Sequence, residues 1–313
     1  MTTTPGKFSG RKILIGPSSF AEENRAPYER LVEVGFQVID NPFKRKLTKE
    51  ETKSLLVKDV AGLVAGLETL DRDVLAHSGL KIVSRCGAGM ANVDLEAARD
   101  LGIRVYSTPF GPTQAVAELT VGCLLGLIRQ VPQMDRALHG LRWDKRVGRQ
   151  LKGMTVLIVG LGRIGAAVAR LLAPFEVNLI ACDSLLGKND APCPLVSLDE
   201  GLAMADVIAL HASGKDRILG RREFGLIKPG AFVLNAARGE VLDEEALLEA
   251  LDSGRVAGAW LDTFDKEPYQ GALAGYEQVI LTPHVGSYTS EGRLRMEMDA
   301  VENLIRGFQE ASE

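Results

Sequence analysis

The sequence has no excess of basic charge, no apolar run of membrane-spanning length, and only four cysteines and four histidines in 313 residues. Each shortage excludes something. A formal net charge of -4 leaves no positive field to hold nucleic acid or an anionic membrane, so an anionic ligand must be gripped by a few local cations. The most apolar stretch, Val121 to Ile128, is far shorter than the roughly 20 residues a membrane-spanning helix needs. Neither nucleic acid nor a membrane is therefore expected as a partner. The opening MTTTPGKFSGRKILIG has no long apolar core and no small-residue cleavage pattern, and reads as carrying no signal peptide. Cys86, Cys123, Cys182 and Cys193 are scattered, without CxxC or Cys/His ligand spacing. No metal site is expected, and the thiols read as reduced ones in a cytoplasmic protein.

What is present is the balance of a globular protein, 46% hydrophobic and 25% charged, long enough for two domains. Lys12 to Gly16, Phe36 to Ile39, Gly62 to Ala65 and Lys81 to Ser84 read as short strands. Helical stretches at Tyr28 to Val34 and Leu70 to His77 lie between them. One long apolar helix is predicted from Gln114 to Leu138. A second βα series then has strands at Thr155 to Val159, Asn178 to Cys182, Val207 to Leu210, Ala231 to Asn235 and Ala257 to Leu261. Its helices lie at Arg163 to Leu172 and Glu244 to Leu251, and a last helix runs from Glu291 to Phe308. Such alternation predicts parallel α/β domains.

Gly160-Leu161-Gly162-Arg163-Ile164-Gly165 is a GxGxxG pattern between the strand TVLIV and the helix that follows. In that setting the first glycine makes the tight turn, the second lets the backbone approach a pyrophosphate, and the third allows close helix–strand packing. Asp183 ends the next strand, close to the roughly 20-residue spacing at which an acid meets the ribose hydroxyls. Ser184 and Leu185 follow it. No cation stands there to neutralise a 2′-phosphate, which favours NAD over NADP.

Hydride chemistry on a keto acid needs a cation for the carboxylate, a proton donor for the oxygen, and a partner that keeps the donor charged. Three strand-end loops offer them. Arg238 lies in NAARG, Glu267 precedes Pro268 in LDTFDKEP, and His284 lies in TPHVGS. Arginine suits a carboxylate through its two-pronged donors. Of the other histidines, His77 and His139 lie in helical patterns, and His211 ends the strand VIAL. Taken singly, each of these residues fits an ordinary surface role. Their order and strand-end placement give them weight.

SRCGAGMANVDLEAA, TP..TQAVAELT, GLGRIG, NAARGEVLDEEAL, LDTFDKEP and TPHVGS, in this order, resemble the D-isomer-specific 2-hydroxyacid dehydrogenase family over nearly the whole chain. The pattern is most like the short form of D-3-phosphoglycerate dehydrogenase. The resemblance implies a Rossmann NAD-binding domain (108–287) inserted in a flavodoxin-like substrate domain (1–107 and 288–313), both doubly wound parallel sheets, with the active site in the cleft between them. It implies Arg238 on the substrate carboxylate, His284 as acid and base, and Glu267 supporting the imidazolium. NAD would be held by Gly160, Gly162, Arg163, Ile164, Gly165, Asp183, His211, Ala212, Ala236, Ala237, Asp262 and Gly286, with Asp262 on the nicotinamide carboxamide. Substrate would meet Arg85 and the backbone amides of Gly87, Ala88 and Gly89. Glutamate at 267 separates the chain from formate dehydrogenases, which resemble it but have glutamine there. A homodimer built on the region of the long helix and Trp143 is implied as well.

Two features depart from the pattern. No proline follows His211, and the stretch His211-Ala212-Ser213-Gly214-Lys215-Asp216 is short. The early loop Ala65-Gly66-Leu67-Glu68 lacks the arginine, and the region of Pro112 the amide, that many phosphoglycerate-type members carry. The resemblance still implies a small 2-hydroxy or 2-keto acid as substrate, with 3-phosphoglycerate and glyoxylate or hydroxypyruvate both open. A non-enzymatic NAD-sensing binding protein and a scaffold with a vestigial cofactor site are the readings from other classes; the intact Arg238, Glu267 and His284 speak against the latter.

Overall fold

The computed structural model describes residues 7–187, 191–214 and 216–310. The chain divides into two compact units, one made of the residues up to 112 together with those from 287 onward, the other of residues 113–286.

In the first unit, β1 (Lys12–Ile15), α1 (Ala26–Glu33), β2 (Gln37–Ile39), α2 (Lys49–Leu55), β3 (Val60–Ala65), α3 (Arg72–His77), β4 (Ile82–Arg85), α4 (Leu95–Asp100) and β5 (Arg104–Ser107) alternate strictly. The strands form one parallel sheet in the order β2-β1-β3-β4-β5, the flavodoxin-like arrangement. Alternate side chains feed two cores. Ile13, Ile15 and Ile82 pack with Leu31 of α1 and with the C-terminal helix, whereas Leu14, Leu63 and Val83 pack with Val74, Leu75, Ala97 and Ala98 of α3 and α4. α2 and α4 carry too few turns for periodicity to reveal, and the sequence pattern passes over them and β5. Their start signals are local. Thr48 and Glu51 make a reciprocal capping box, and Asp94 accepts from Ala97 N at 2.8 Å.

The second unit holds α5 (Thr113–Ile128), α6 (Val131–His139), β6 (Thr155–Val159), α7 (Arg163–Leu172), β7 (Asn178–Cys182), α8 (Leu198–Met204), β8 (Val207–Leu210), α9 (Arg221–Leu226), β9 (Ala231–Asn235), α10 (Glu244–Asp252), β10 (Val256–Leu261) and β11 (Val279–Leu281). Its six-stranded parallel sheet runs β11-β10-β9-β8-β6-β7, and a parallel bridge from Ala181 to Leu195 extends it beyond β7. This is the dinucleotide-binding order, in which the chain reverses direction between β6 and β8. Val156 and Ile158 face a core shared with α5 and α7, while Leu157 and Val159 face one shared with α9 and α10. Helices thus cover both faces, which a parallel sheet requires.

The single helix predicted from Gln114 to Leu138 is two helices, bent by 67°. Pro132 has no N–H and its ring would clash with the carbonyl four residues earlier. That carbonyl, of Ile128, accepts from Arg149 N instead at 2.8 Å, and Gln130 turns the chain at φ +54°. No single helix among the described residues is long and apolar enough to cross a membrane.

After the second unit, α11 (Ser290–Glu310) packs on the first sheet. Its Phe308 is fully buried, with its ring 5.5 Å from Phe36 and 6.0 Å from Phe8. Phe308→Ala should cost about 3–5 kcal/mol, the usual loss for truncating a buried phenylalanine, read from the urea midpoint. A loss within noise would show that α11 is not part of this core.

Candidate active site

The register of the second sheet brings its strand ends into one row. Val159 pairs with Cys182 and with Leu210, Leu210 with Asn235, Asn235 with Leu261, and Leu261 with Leu281. The loops that leave this edge carry the glycine motif, Asp183, His211, Arg238, Asp262 with Glu267, and His284. Residues separated by more than a hundred positions emerge side by side because parallel strands place all their carboxyl ends at one edge.

The glycine loop has the shape a pyrophosphate needs. Gly160 turns at φ +89°, and a Cβ there would stand 2.5 Å from Ala212. A Cβ at Gly165 would meet the Gly160 carbonyl at 2.1 Å, so helix and strand touch through backbone. Around Gly162, the residue that opens α7, nothing lies within 4 Å of such an atom. Asp183 sits beside the loop. One carboxylate oxygen accepts from Leu161 N at 2.7 Å, the other from Leu185 N at 2.8 Å and Leu186 N at 3.2 Å. His211 follows β8, and both its ring nitrogens are buried without a hydrogen-bond partner among the described residues. Burial pushes its pKa down to about 4, so the ring stays neutral near pH 7. Lys215, in the short stretch after it, lies outside the described residues. The turn, the open approach at Gly162 and the orphaned imidazole together fit a bound dinucleotide.

His284 and Glu267 form a pair. The imidazole Nδ1 lies 2.9 and 3.1 Å from the two oxygens of the Glu267 carboxylate, with both side chains only partly exposed. Burial pushes the Glu267 carboxyl up. The hydrogen bond and charge of His284, the Phe264 amide (3.2 Å) and the charge of Arg238 outweigh it, and net its pKa lies below the ordinary glutamate value. Since Nδ1 is taken, Nε2 is the ring atom left for exchange with a ligand.

Arg238 is drawn towards this pair by backbone contact. Gly239 lies against the chain at Phe264 and Asp265, where a Cβ would stand 1.9 Å from the Phe264 carbonyl carbon. Asn235, fully buried, shapes the turn between them. Its amide donates to Arg238 O at 2.9 Å and its oxygen accepts from Ala237 N at 3.0 Å. The Arg238 guanidinium donates to Ala237 O at 2.7 Å.

Asp262 is almost wholly buried and engaged by its own chain. Oδ1 accepts from the Thr282 hydroxyl (2.6 Å) and Val285 N (2.9 Å), and Oδ2 from Gly286 N (2.8 Å). Thr282 Oγ1 in turn accepts from Trp260 Nε1 at 3.0 Å. The sequence pattern assigns no role to Asn235, Thr282 or Trp260. The available signal is a single polar residue at the end of an apolar strand, where a buried side chain must find partners.

In the first unit, Arg85 ends β4 and donates to Cys86 O. The Gly87 N–H donates to Thr108 Oγ1 at 2.7 Å, and Thr108 N returns a bond to Gly87 O at 3.0 Å. Of the three amides expected to meet substrate, that of Gly87 is thus hydrogen-bonded to Thr108, just past β5. Ala88 is exposed and Gly89 half-buried.

A glycine turn at the switch point of a parallel sheet, with a histidine–carboxylate pair and an arginine at the same edge, defines a dinucleotide-binding protein of the dehydrogenase type. Residues 121–286 match the model described as D-isomer specific 2-hydroxyacid dehydrogenase, NAD binding domain. The chain belongs to this family, and NAD is the cofactor of the domain. It is 38% identical to a D-3-phosphoglycerate dehydrogenase of Rattus norvegicus over 91% of this chain and 54% of that protein. It is 32% identical to a hydroxypyruvate reductase of Thermotoga maritima over 83% of this chain and 88% of that protein. The crystal structure of the TT0316 protein from Thermus thermophilus superposes with a TM-score of 0.88 at 34% identity, covering 95% of this chain and 97% of the other. The chain spans about half the length of the phosphoglycerate dehydrogenases it matches.

Gly239→Ala forces the Phe264–Asp265 backbone away. It should destabilise the protein by about 1–3 kcal/mol, the range for overpacking, and lower turnover by displacing Glu267 from His284. Unchanged melting and unchanged turnover would show that the two loops do not depend on this contact.

Proposed function

We propose that the protein is an NAD-dependent D-2-hydroxyacid dehydrogenase, and the observation that carries the reading is the His284–Glu267 pair at 2.9 Å beside the Arg238 loop. NAD(H), when bound, accepts or supplies the hydride at the 2-carbon. Arg238 holds the substrate carboxylate and polarises the keto oxygen. His284 Nε2 gives its proton to that oxygen in reduction and takes it from the hydroxyl in oxidation, so one hydride and one proton convert the 2-keto acid to the 2-hydroxy acid. Glu267 fixes the ring through Nδ1 and balances its charge. Asp183 receives the adenosine ribose, Gly160, Gly162, Arg163, Ile164 and Gly165 the pyrophosphate, and His211, Ala212, Ala236, Ala237, Asp262 and Gly286 the nicotinamide side. Arg85 and the loop of Gly87, Ala88 and Gly89 complete the substrate contacts.

Phosphohydroxypyruvate and 3-phosphoglycerate are one candidate substrate pair, in line with the name of the rat relative. A second reading, glyoxylate or hydroxypyruvate reduction, is favoured by the loop after β3. Glu68 there is buried, with both carboxylate oxygens on Gly66 N, and it supplies no cation for a phosphate. The assembly we propose is a cytoplasmic homodimer. Four free, dispersed thiols suit a reducing compartment. Leu141 (96% exposed) and Trp143 (77%) follow α6, whose Val131 and Leu138 are exposed as well, and an apolar row of this kind suits a second copy of the chain.

The reading is tested by NADH oxidation against phosphohydroxypyruvate, hydroxypyruvate, glyoxylate, pyruvate and bulkier 2-keto acids, with the wild type and His284→Ala. One of these substrates should be turned over, and the variant should lose about 10²–10⁴-fold in kcat, the span of acid–base catalysis, while still binding NADH. Full turnover by the variant refutes the role of His284. No turnover of any substrate by the wild type leaves the NAD-sensing binding protein as the better reading.

A further inference from the structure

We propose that the Thr282 hydroxyl is a positioning residue for His284, linking the buried Trp260 indole to the Asp262 carboxylate so that the loop between them is held in one conformation. The inference rests on the acid–base role proposed above for His284 and adds the means by which the ring is aimed.

His284 is held at φ +55°, a left-handed conformation that a residue with a side chain keeps only where its surroundings over-determine it. The surroundings here are a closed hydrogen-bond circuit. Trp260, fully buried in β10, donates its Nε1–H to Thr282 Oγ1 at 3.0 Å. A hydroxyl has one proton, and that of Thr282 goes to Asp262 Oδ1 at 2.6 Å. Asp262 then accepts from Val285 N and Gly286 N, the two amides that follow His284. The His284 N–H itself donates to Thr282 O at 2.9 Å. Both ends of the five-residue loop are therefore anchored on one carboxylate, and that carboxylate is anchored through one hydroxyl to a side chain in the core.

The far side of the loop is fixed by packing. A Cβ on Gly286 would meet Asp262 Oδ2 at 2.9 Å and Val116 of α5 at 3.0 Å, so no side chain fits there between the carboxylate and α5. Of the three hydrogen bonds to the Asp262 carboxylate, the one from Thr282 alone leads on to a strand side chain, that of Trp260. The other two come from amides of the loop being oriented. Removing that hydroxyl takes away the side-chain tie between the carboxylate and the core and leaves only backbone ties, Thr282 N to Leu261 O at 3.0 Å and Asp262 N to Asn235 O at 2.9 Å. The same circuit gives Asp262 a task besides any it has towards cofactor, since three of the roughly four acceptor positions of a carboxylate are already used.

The test compares Thr282→Val, which keeps the shape and deletes the hydroxyl, with Thr282→Ser, which restores it, and with His284→Ala, all in the full chain. The readouts are kcat and its pH profile, NADH affinity by fluorescence titration, and the pH titration of the histidine ring signals by NMR, which needs no substrate. Thr282→Val should lower kcat about tenfold to a hundredfold, the scale of a misplaced catalytic group. It should also shift the kcat pH profile and the His284 ring titration, with NADH affinity held within about twofold. Thr282→Ser should recover most of the loss. If Thr282→Val does not fold, Trp260→Phe removes only the indole donor, and a lowered kcat with intact NADH binding supports the proposal in its place. The proposal fails if Thr282→Val, or Trp260→Phe in its stead, leaves kcat and ring titration unchanged while His284→Ala is inactive. It fails equally if valine and serine are impaired alike. Full activity in His284→Ala would instead sink the acid–base reading on which the inference stands.

Discussion

The register of the six-stranded parallel sheet is the constraint on which the rest depends. Leu210, Asn235, Leu261 and Leu281 stand side by side across β8, β9, β10 and β11, so the loops after them begin at the same level. A one-residue slip between β9 and β10 would turn alternate side chains to the other face and carry Asn235 and Asp262 away from their partners. The slip is opposed by two cores at once, because Phe232, Leu234 and Trp260 pack on one side of the sheet and Val233, Ala259 and Leu261 on the other. Hydrophobic burial on both faces therefore sets, indirectly, where His284 and Arg238 lie relative to each other.

Within that edge the polar residues separate into two kinds. Asn235 and Asp262 are buried, and their polar contacts are with the turns that bear Arg238 and His284. Such groups are costly to bury unless paired, and the pairing they require is what gives each turn a single shape. Glu267 and His284 remain partly open. Their bond to each other uses Nδ1 and leaves Nε2 for a ligand, which is the condition for acid–base work. The left-handed backbone at His284, costing roughly 1–2 kcal/mol for a residue with a Cβ, is sustained by the buried kind.

Much of the chain was legible from its sequence. β6, α7, β7, β8 and β9 have the bounds that their apolar runs and flanking residues predict, since each is a mostly apolar run or an amphipathic helix with a clear start. The failures have local causes. The helix predicted from Gln114 to Leu138 breaks because a proline at 132 removes a hydrogen bond that periodicity does not register. α2 and α4 are shorter than two turns and were marked only by their caps. Long-range pairs leave no local trace at all: the Gly87 amide donates to Thr108, 21 positions away, and nothing in either loop announces the partner.

The sequence by itself determined most of the element types, the glycine turn with its acid, and the strand-end positions of Arg238, Glu267 and His284, because these depend on composition and spacing along the chain. Tertiary structure alone decided which of them meet. It brought His284 within 2.9 Å of Glu267, laid Gly239 against the Phe264 backbone, and turned Asp262 inward onto the loop that carries the histidine. Those outcomes rest on strand register and on hydrogen bonds between residues 17 to 24 positions apart, distances over which the local pattern carries no information about who pairs with whom.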